Sequence, residues 1–170
     1  LRILNAIPRD TALGKRNRAL LGLLAGTGCR IAAALGLKRT ALRRTGSTWN
    51  VTLIEKGQVP HTLPITPAVL KLLLPFLCLN LPVKGERVFP SWNGNAKRFT
   101  LHPMSYIEAY RTVQAAAAAA GITDKAVTPH SFRATAITAL LEAGHDITLP
   151  QRIAGHADPA TTRLYDRRNK

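Results

Sequence analysis

The pattern of apolar and polar positions along the chain predicts a fold that is mostly helical. Apolar residues recur at helical spacing in segments that begin at capping residues or proline and end at glycine. A run of six alanines before Gly121 also favours a helix, because alanine has the highest helix propensity. The predicted helices cover residues 16–25, 30–38, 66–78, 103–120, 128–144, 147–154 and 159–166.

One stretch between these helices has the pattern of a β-hairpin instead. Residues 48–65, TWNVTLIEKGQVPHTLPI, predict two short strands around an EKGQ turn. Pro60 and Pro64 lack the N–H group that a central strand needs, so they place the second strand at a sheet edge. Residues 81–102 are predicted to form a loop.

Together these elements predict a mainly α fold with one small antiparallel β-sheet, an α+β arrangement. The chain has 170 residues, of which 46% are hydrophobic, so it can form one domain with a real core. Residues 16–170 are expected to form that domain. Residues 1–15, with Pro8, Gly14 and scattered charge, are expected to be a linker or arm.

The charge balance favours a polyanionic partner. Twenty-four Lys and Arg residues against nine Asp and Glu give a net charge of +15, and residues 1–44 hold ten of these bases with a single acid. Such an excess is typical of proteins that bind DNA or RNA, and a membrane surface is the rival polyanion. No segment has the roughly 18 uninterrupted apolar residues of a membrane-spanning helix. The start of the sequence also lacks a signal-peptide pattern.

The two cysteines change this picture little. Cys29 and Cys78 have neither the spacing of metal ligands nor that of a disulfide framework. The cysteines therefore indicate the reducing cytoplasm and no metal site of their own; no cofactor is expected.

The segment TPHSFRATAITALL places unusual polar residues at a helix start. With Thr128 as the N-cap, His130 and Arg133 are neighbours on one helix face, and the same face continues to Ile137 and Leu140. Arg133 is therefore expected to be buried, where a cation needs a partner. An anion bound at the helix N-terminus would supply that partner. A structural carboxylate is the alternative.

Arg30 stands in a similar position, at the start of the helix that follows GTGC. A helix N-terminus disfavours a cation, and the glycines before it allow another group to approach closely. Two arginines that bind one anion would explain both positions, because guanidinium groups can clamp the oxygens of a phosphate. The alternative is that Arg30 is a surface charge.

The segment GHADPATTRLYDRR adds a candidate nucleophile. Asp158 and Pro159 predict a helix start, with His156 just before it and Tyr165 two turns inside. Tyrosine serves as a covalent nucleophile in enzymes, but its hydroxyl ordinarily has a pKa of about 10, so it needs nearby cations or a histidine. The alternative is that Tyr165 is a packing residue.

Three segments, TGCRIAAALGL, PHSFRATAITALLEAG and GHADPATTRLYDRR, resemble the catalytic domain of tyrosine recombinases, the phage integrase family. The resemblance covers nearly all of the chain and implies the fold of that domain. It implies that Arg30 and Arg133 bind the scissile phosphate of DNA, and that His130 and His156 hydrogen-bond it and assist proton transfer. Tyr165 would attack to give a 3′-phosphotyrosine and a free 5′-hydroxyl.

The resemblance also implies a general acid. Lys56, in the turn of the predicted hairpin, would protonate the 5′-oxygen as it leaves, and it is the only lysine between Lys38 and Lys71. In such enzymes the two arginines supply the charge stabilisation that a metal would give, so no metal is expected. No ATP is expected either, because the phosphotyrosine conserves the energy of the broken bond.

The implied function is that of a site-specific, integrase-like DNA recombinase, which cuts and rejoins double-stranded DNA. A topoisomerase of type IB is the nearest alternative. The residues of the segments TPHSFRATAI and AGHADPATTRLYDRR favour the recombinase. A DNA-binding module without catalysis is another, and the presence of all six expected residue types argues against it. The last alternative is a basic helical domain with accidental spacing.

The sequence departs from the family's pattern at two internal positions. Many members carry an acid three residues after the first arginine, where this chain has Ala33, which leaves open what orients Arg30. Ala134 stands where histidine is common, at a position that is not catalytic in the family.

The family's members are also longer at both ends. They usually have an N-terminal DNA-binding domain, and a helix after the tyrosine that docks on a neighbouring subunit. We therefore expect a trimmed catalytic fragment without these parts, monomeric by itself. The full-length protein is expected to act as a homotetramer on DNA, in the cytoplasm with the nucleoid and away from the membrane.

Overall fold

The computed structural model of the protein describes residues 2–55, 57–81, 86–123, 127–155 and 159–166. Its helices are α1 (Arg2–Asn5), α2 (Ala12–Thr27), α3 (Ile31–Leu35), α4 (Pro67–Leu77), α5 (Tyr106–Ala119), α6 (Pro129–Glu142), α7 (Thr148–Ala154) and α8 (Pro159–Arg163). Its strands are β1 (Leu42–Thr45), β2 (Thr48–Ile54), β3 (Pro60–Ile65), β4 (Pro90–Asn93) and β5 (Arg98–Pro103). The predicted class, mainly helical with a small antiparallel sheet, is confirmed, and the described residues form two such sheets rather than one.

Strands β1, β2 and β3 form an antiparallel sheet in that order. On β2, Val51 and Leu53 are buried, whereas Thr52 between them is half-buried, so the strand alternates as a sheet over a core should. Strand β3 is an edge strand, as Pro60 and Pro64 predict. Strand β1 was not predicted, because its sequence LRRT contains one apolar residue and it forms by pairing with β2.

The prediction of a loop over residues 81–102 is wrong, because β4 and β5 form a second, two-stranded sheet there. Trp92 and Phe99 meet edge to face across this sheet, with ring centroids 5.0 Å apart. Phe99 also meets Phe76 of α4 at 5.8 Å. The hairpin thus depends on packing against a distant helix, which no pattern within the segment reveals.

Helix α2 forms the centre of the core. Its fully buried leucines are Leu20, Leu21, Leu23 and Leu24. The helix begins at Ala12 rather than at residue 16, because Thr11 caps it and its hydroxyl accepts a hydrogen bond from the Gly14 N–H at 3.0 Å. Leu4 and Ile7 are buried in the same core. The segment expected to be a linker is therefore packed onto the domain, and its link to a further domain stays a prediction.

Two helices start where a Thr-Pro pair predicts. The Thr66 hydroxyl accepts from the Val69 N–H at 3.4 Å at the start of α4. At the start of α6, the Ser131 hydroxyl accepts from the Thr128 N–H at 3.0 Å, as in a capping box. The caps fix the first turn of α6, which carries His130, and Arg133 follows in the second turn.

Helix α8 is shorter than predicted, and this changes the position of the candidate nucleophile. It ends at Arg163, so Tyr165 lies in the turn beyond the helix and not two turns inside it. The Tyr165 N–H donates to the Thr162 carbonyl at 3.0 Å, a three-residue contact typical of a tight turn rather than an α-helix. Among the described residues, no helix is both long and apolar enough to cross a bilayer.

Candidate active site

Four of the six predicted site residues lie in the described part of the chain: Arg30, His130, Arg133 and Tyr165. Lys56 and His156 lie outside the described residues. The four come from the start of α3, the first two turns of α6 and the turn after α8. The four residues thus come from separate segments of the chain, and each lies at or near the end of a helix.

Arg133 is buried, as its helix face predicts, and it is 3% exposed. One Nη donates to the Gly28 carbonyl at 2.8 Å and the other to the Ala154 carbonyl at 2.7 Å. These carbonyls lie at the C-terminal ends of α2 and α7, where the helix dipole is negative. Among the described residues, the cation is therefore bonded to backbone carbonyls and not to a carboxylate, which was the alternative. The two bonds use two of the five guanidinium N–H groups.

The approach of α2 to α6 explains the glycine at position 28. Gly28 has φ +60°, a left-handed conformation that L side chains rarely adopt. A Cβ there would also lie 3.3 Å from the Ala136 Cβ on α6. Glycine therefore lets the α2 carbonyl come within bonding distance of Arg133.

Arg30 is the N-cap residue of α3 and is not a simple surface charge. Its Nη1 donates to the Glu55 carboxylate and, at 3.4 Å, to the Gly155 carbonyl. The Arg30 side chain is 35% exposed, so it is open to solvent on one side, whereas the Glu55 side chain is 7% exposed. The sequence left open which residue orients Arg30, because Ala33 stands where many family members have an acid. In the structure that acid is Glu55, at the end of β2.

Sequence reasoning did not single out Glu55, although one signal was present. It is the only acid between Asp10 and Glu86, and it directly precedes the lysine of the hairpin turn. An isolated acid in so basic a region points to a specific cation. Which cation it meets depends on the fold, since Arg30 lies 25 residues earlier.

The two arginines are joined through one short piece of backbone. Arg133 bonds the Ala154 carbonyl and Arg30 bonds the next one, that of Gly155, where α7 ends. Burial, and then the positive charge of Arg30, lower the pKa of Arg133, while Glu55 and Tyr165 act in the opposite direction. Two guanidinium groups held this close together suit an anion with several oxygens, such as a phosphate.

The Tyr165 hydroxyl lies 3.3 Å from Nε2 of His130, which is exposed in the first turn of α6. The ring of Tyr165 packs against a small apolar cluster formed by Ile137, Leu141 and Ala154. The Thr138 hydroxyl donates to the Tyr165 carbonyl at 3.5 Å. The phenol is thus held by packing, and its hydroxyl lies within hydrogen-bond distance of a histidine ring nitrogen.

Cys29 precedes Arg30 but has the properties of a core residue. It is 2% exposed, and burial raises the pKa of its thiol from the usual 9.0 to about 11. A neutral thiol is a poor nucleophile. The described residues contain no group of three or more His, Cys, Asp or Glu side chains that could hold a metal ion.

This geometry joins two cations that suit a phosphate with a phenol that lies within hydrogen-bond distance of a histidine. Comparison with known proteins places the chain in a family. Residues 1–170 match the phage integrase family. The chain belongs to that family.

Similar family members have been named as recombinases. Tyrosine recombinase XerC of Rhodospirillum centenum is 35% identical over 160 residues, and tyrosine recombinase XerD of Mycobacterium tuberculosis is 33% identical over 164 residues. The alignments cover 94% and 93% of this integrase-family chain, but 45% and 50% of those proteins. The chain therefore spans about half the length of these relatives.

Solved structures confirm the fold of a tyrosine-recombinase catalytic domain. The crystal structure of XerA recombinase has a TM-score of 0.78 at 28% identity and covers 96% of this chain and 56% of its own. The post-cleavage complex of the XerH site-specific recombinase with palindromic difH substrate has a TM-score of 0.83 at 23% identity. That match covers 99% of this chain and 48% of XerH, and it supports the fold alone. The roles of the six site residues stay predictions.

Proposed function

We propose that this integrase-family chain is the catalytic part of a site-specific DNA recombinase, which cuts and rejoins DNA through a 3′-phosphotyrosine. The observation that carries the proposal is the contact between the Tyr165 hydroxyl and His130, beside two arginines that bond consecutive carbonyls. The names of the relatives, XerC and XerD tyrosine recombinases, support it.

In the binding step, Arg30 and Arg133 hold the non-bridging oxygens of one phosphate. Their N–H groups point where negative charge grows as phosphorus becomes five-coordinate, so the transition state is stabilised more than the bound substrate. The chain's net charge of +15 attracts the rest of the DNA duplex to the protein surface.

In the chemical step, the Tyr165 oxygen forms a bond to phosphorus and the bond to the 5′-oxygen breaks. His130 takes the phenolic proton, His156 hydrogen-bonds the phosphate, and Lys56 gives a proton to the departing 5′-oxygen. Attack by a 5′-hydroxyl from another strand reverses these steps and releases Tyr165. The reaction needs neither ATP nor water, since the phosphodiester energy is kept in the phosphotyrosine.

The two alternative functions gain no support. The relatives found are recombinases, which does not favour a topoisomerase of type IB. An inactive DNA-binding module has no need for a phenol against a histidine at the arginine pair.

The proposed cellular unit is larger than this chain. In the full-length protein, a DNA-binding domain would precede these residues and a docking helix would follow Tyr165, so that four copies assemble on DNA. This domain alone would be monomeric. The proposed place of action is the bacterial nucleoid, because the substrate is DNA.

Covalent capture tests the proposal. The full-length protein is mixed, in buffer with EDTA, with nicked duplexes of randomised sequence, from which the short cleaved strand diffuses away and traps the adduct. We expect a protein–DNA adduct that survives detergent, and none from Tyr165→Phe. Adduct formation by the Phe variant, or a need for Mg²⁺, would contradict the mechanism. The duplexes recovered supply a substrate for further tests.

A further inference from the structure

Helix α3 begins with the candidate phosphate-binding arginine but contains no acid to hold it. Its sequence is IAAAL, and Ala33, one turn after Arg30, has no polar atom in its side chain. A flexible arginine at a helix N-terminus is unfavourable there unless something fixes it. The holding group comes instead from the hairpin, where Glu55 accepts a hydrogen bond from Arg30 Nη1.

The hairpin fixes Glu55 by its backbone. The Glu55 N–H donates to the Val59 carbonyl at 2.9 Å, and the Glu55 carbonyl accepts from the Gln58 N–H at 3.1 Å. These two bonds close the connection between β2 and β3. The hydrogen bonds that position the Glu55 carboxylate therefore also fix the point at which β2 ends.

Glu55 also packs against the backbone that both arginines bond. A Cβ at Gly155 would lie 3.3 Å from the Glu55 Cγ and 3.0 Å from the His61 Nδ1. Gly155 has φ +63°, so glycine suits this position for both its conformation and its close approach. Arg30, Glu55 and Gly155 thus form a closed set of contacts around the start of α3.

The carboxylate occupies one edge of the guanidinium and leaves the other open. Within the described part of the chain, Arg30 makes its hydrogen bonds through Nη1, and Nε and Nη2 have none. The Nε–Nη2 edge matches two oxygens of a phosphate. Arg30 also lines a cleft of about 720 Å³, together with Ala33, Lys38, Glu55 and Arg87.

We propose that Glu55 is a positioning residue, which holds Arg30 by one edge so that the other edge faces the scissile phosphate. This inference rests on the proposed function. Glu55 does not touch the DNA, and it acts through Arg30. It takes the place of an acid within α3, and it ties the phosphate-binding arginine to the hairpin turn.

The first test separates binding from cleavage in a Glu55→Gln variant of the full-length protein. The control is Glu86→Gln, because Glu86 also pairs with a cation, Lys38, but is exposed, and both changes remove one negative charge. Single-turnover adduct formation on a captured nicked duplex should slow by roughly 10–100-fold for Glu55→Gln, the worth of one hydrogen bond to a charged group. The Kd of Glu55→Gln for the duplex should stay near that of the parent protein. The cleavage rate of Glu86→Gln should also stay near that of the parent.

The second test asks whether Glu55 acts through Arg30. In an Arg30→Lys background, whose lysine lacks the guanidinium fork, Glu55→Gln should cost far less than it does in the parent. Equal losses in the two backgrounds would overturn the inference. So would faster cleavage by Glu55→Gln, which would mean that the carboxylate blocks the arginine.

A third variant covers loss of folding. If Glu55→Gln unfolds, Glu55→Asp keeps the charge but withdraws the carboxylate by one methylene, and it should also cleave more slowly with an unchanged Kd. A parental rate in Glu55→Asp, or a folded and fully active Glu55→Gln, would sink the inference alone. Absence of any adduct from the parent protein would instead sink the proposed function.

Discussion

Arg133 shows how this domain holds a charge inside its core. The Arg133 guanidinium donates hydrogen bonds to two backbone carbonyls at helix C-termini. These bonds offset the free-energy cost of burying the cation, and they give partners to carbonyls that would otherwise need them. The same arrangement leaves guanidinium N–H groups for an anion. At this residue, stability and the proposed chemistry use different N–H groups of one side chain.

Replacing Arg133 with methionine should therefore destabilise the domain as well as abolish cleavage. The Gly28 and Ala154 carbonyls would lose their donors, and the free energy of unfolding should fall by about 1–3 kcal/mol. Chemical denaturation measures this loss. Arg152→Met, at an exposed arginine of α7, is the control and should shift it by less than about 0.5 kcal/mol. Equal losses would show that the two carbonyl bonds contribute nothing.

Cys29 predicts a pH dependence of stability. Its thiol pKa is about 11 in the folded chain and near 9.0 when exposed, so between these values the folded chain binds more protons. Stability must then fall as the pH rises from about 9 to 11, by up to about 1.4 kcal/mol per pH unit from this group. The unfolding free energy of Cys29→Ala should fall less steeply across that window. Parallel curves for the two proteins would contradict the assignment.

At the scale of elements, the site depends on how closely helix ends approach each other. Gly28 and Gly46 both have φ +60°, but only at Gly28 would a Cβ meet a neighbour within 4 Å, the Ala136 side chain. Gly28→Ala should therefore lose more stability than Gly46→Ala, which carries the backbone strain of about 1–2 kcal/mol alone. It should also slow cleavage, because the carbonyl that holds Arg133 moves. Matching losses and an unchanged cleavage rate would show that the contact with α6 does not matter.

Local signals predicted the elements that local interactions form. Thr66-Pro67 and Thr128-Pro129 mark real helix starts, because caps and proline act within one turn. The β4–β5 hairpin was missed, because its aromatic residues gain their stability from α4. The end of α8 was missed for a similar reason, as Tyr165 packs on a cluster formed by α6 and α7.

The site was predictable as a set of residue types but not as a set of contacts. Spacing indicated that Arg133 is buried and adjacent to His130, since three residues on a helix share a face. No spacing could pair Tyr165 with His130 or Arg30 with Glu55, because these contacts join separate segments. The family resemblance supplied the roles, and only the folded chain shows what Arg30, Arg133 and Tyr165 contact.

At the scale of the whole molecule, the charge of +15 should dominate the proposed encounter with DNA. Binding to duplex DNA should weaken steeply with salt, because phosphate contacts release counterions. A protein that makes several such contacts loses about 10³-fold or more in affinity between about 50 and 200 mM salt. Fluorescence anisotropy with a labelled duplex measures the slope. An affinity that barely changes over this range would show that the basic surface is not the DNA-binding surface.

The central claim is that Tyr165 forms the covalent bond to DNA, and mapping the trapped adduct tests it most directly. The adduct is digested with nuclease and trypsin, and the peptides are sequenced by mass spectrometry. The account predicts a 3′-linked nucleotide on Tyr165 and a free 5′-hydroxyl on the released strand. The exposed tyrosines Tyr106 and Tyr110 should be unmodified in the same digest. A nucleotide on either of them, on a serine, or linked through a 5′-phosphate would contradict it.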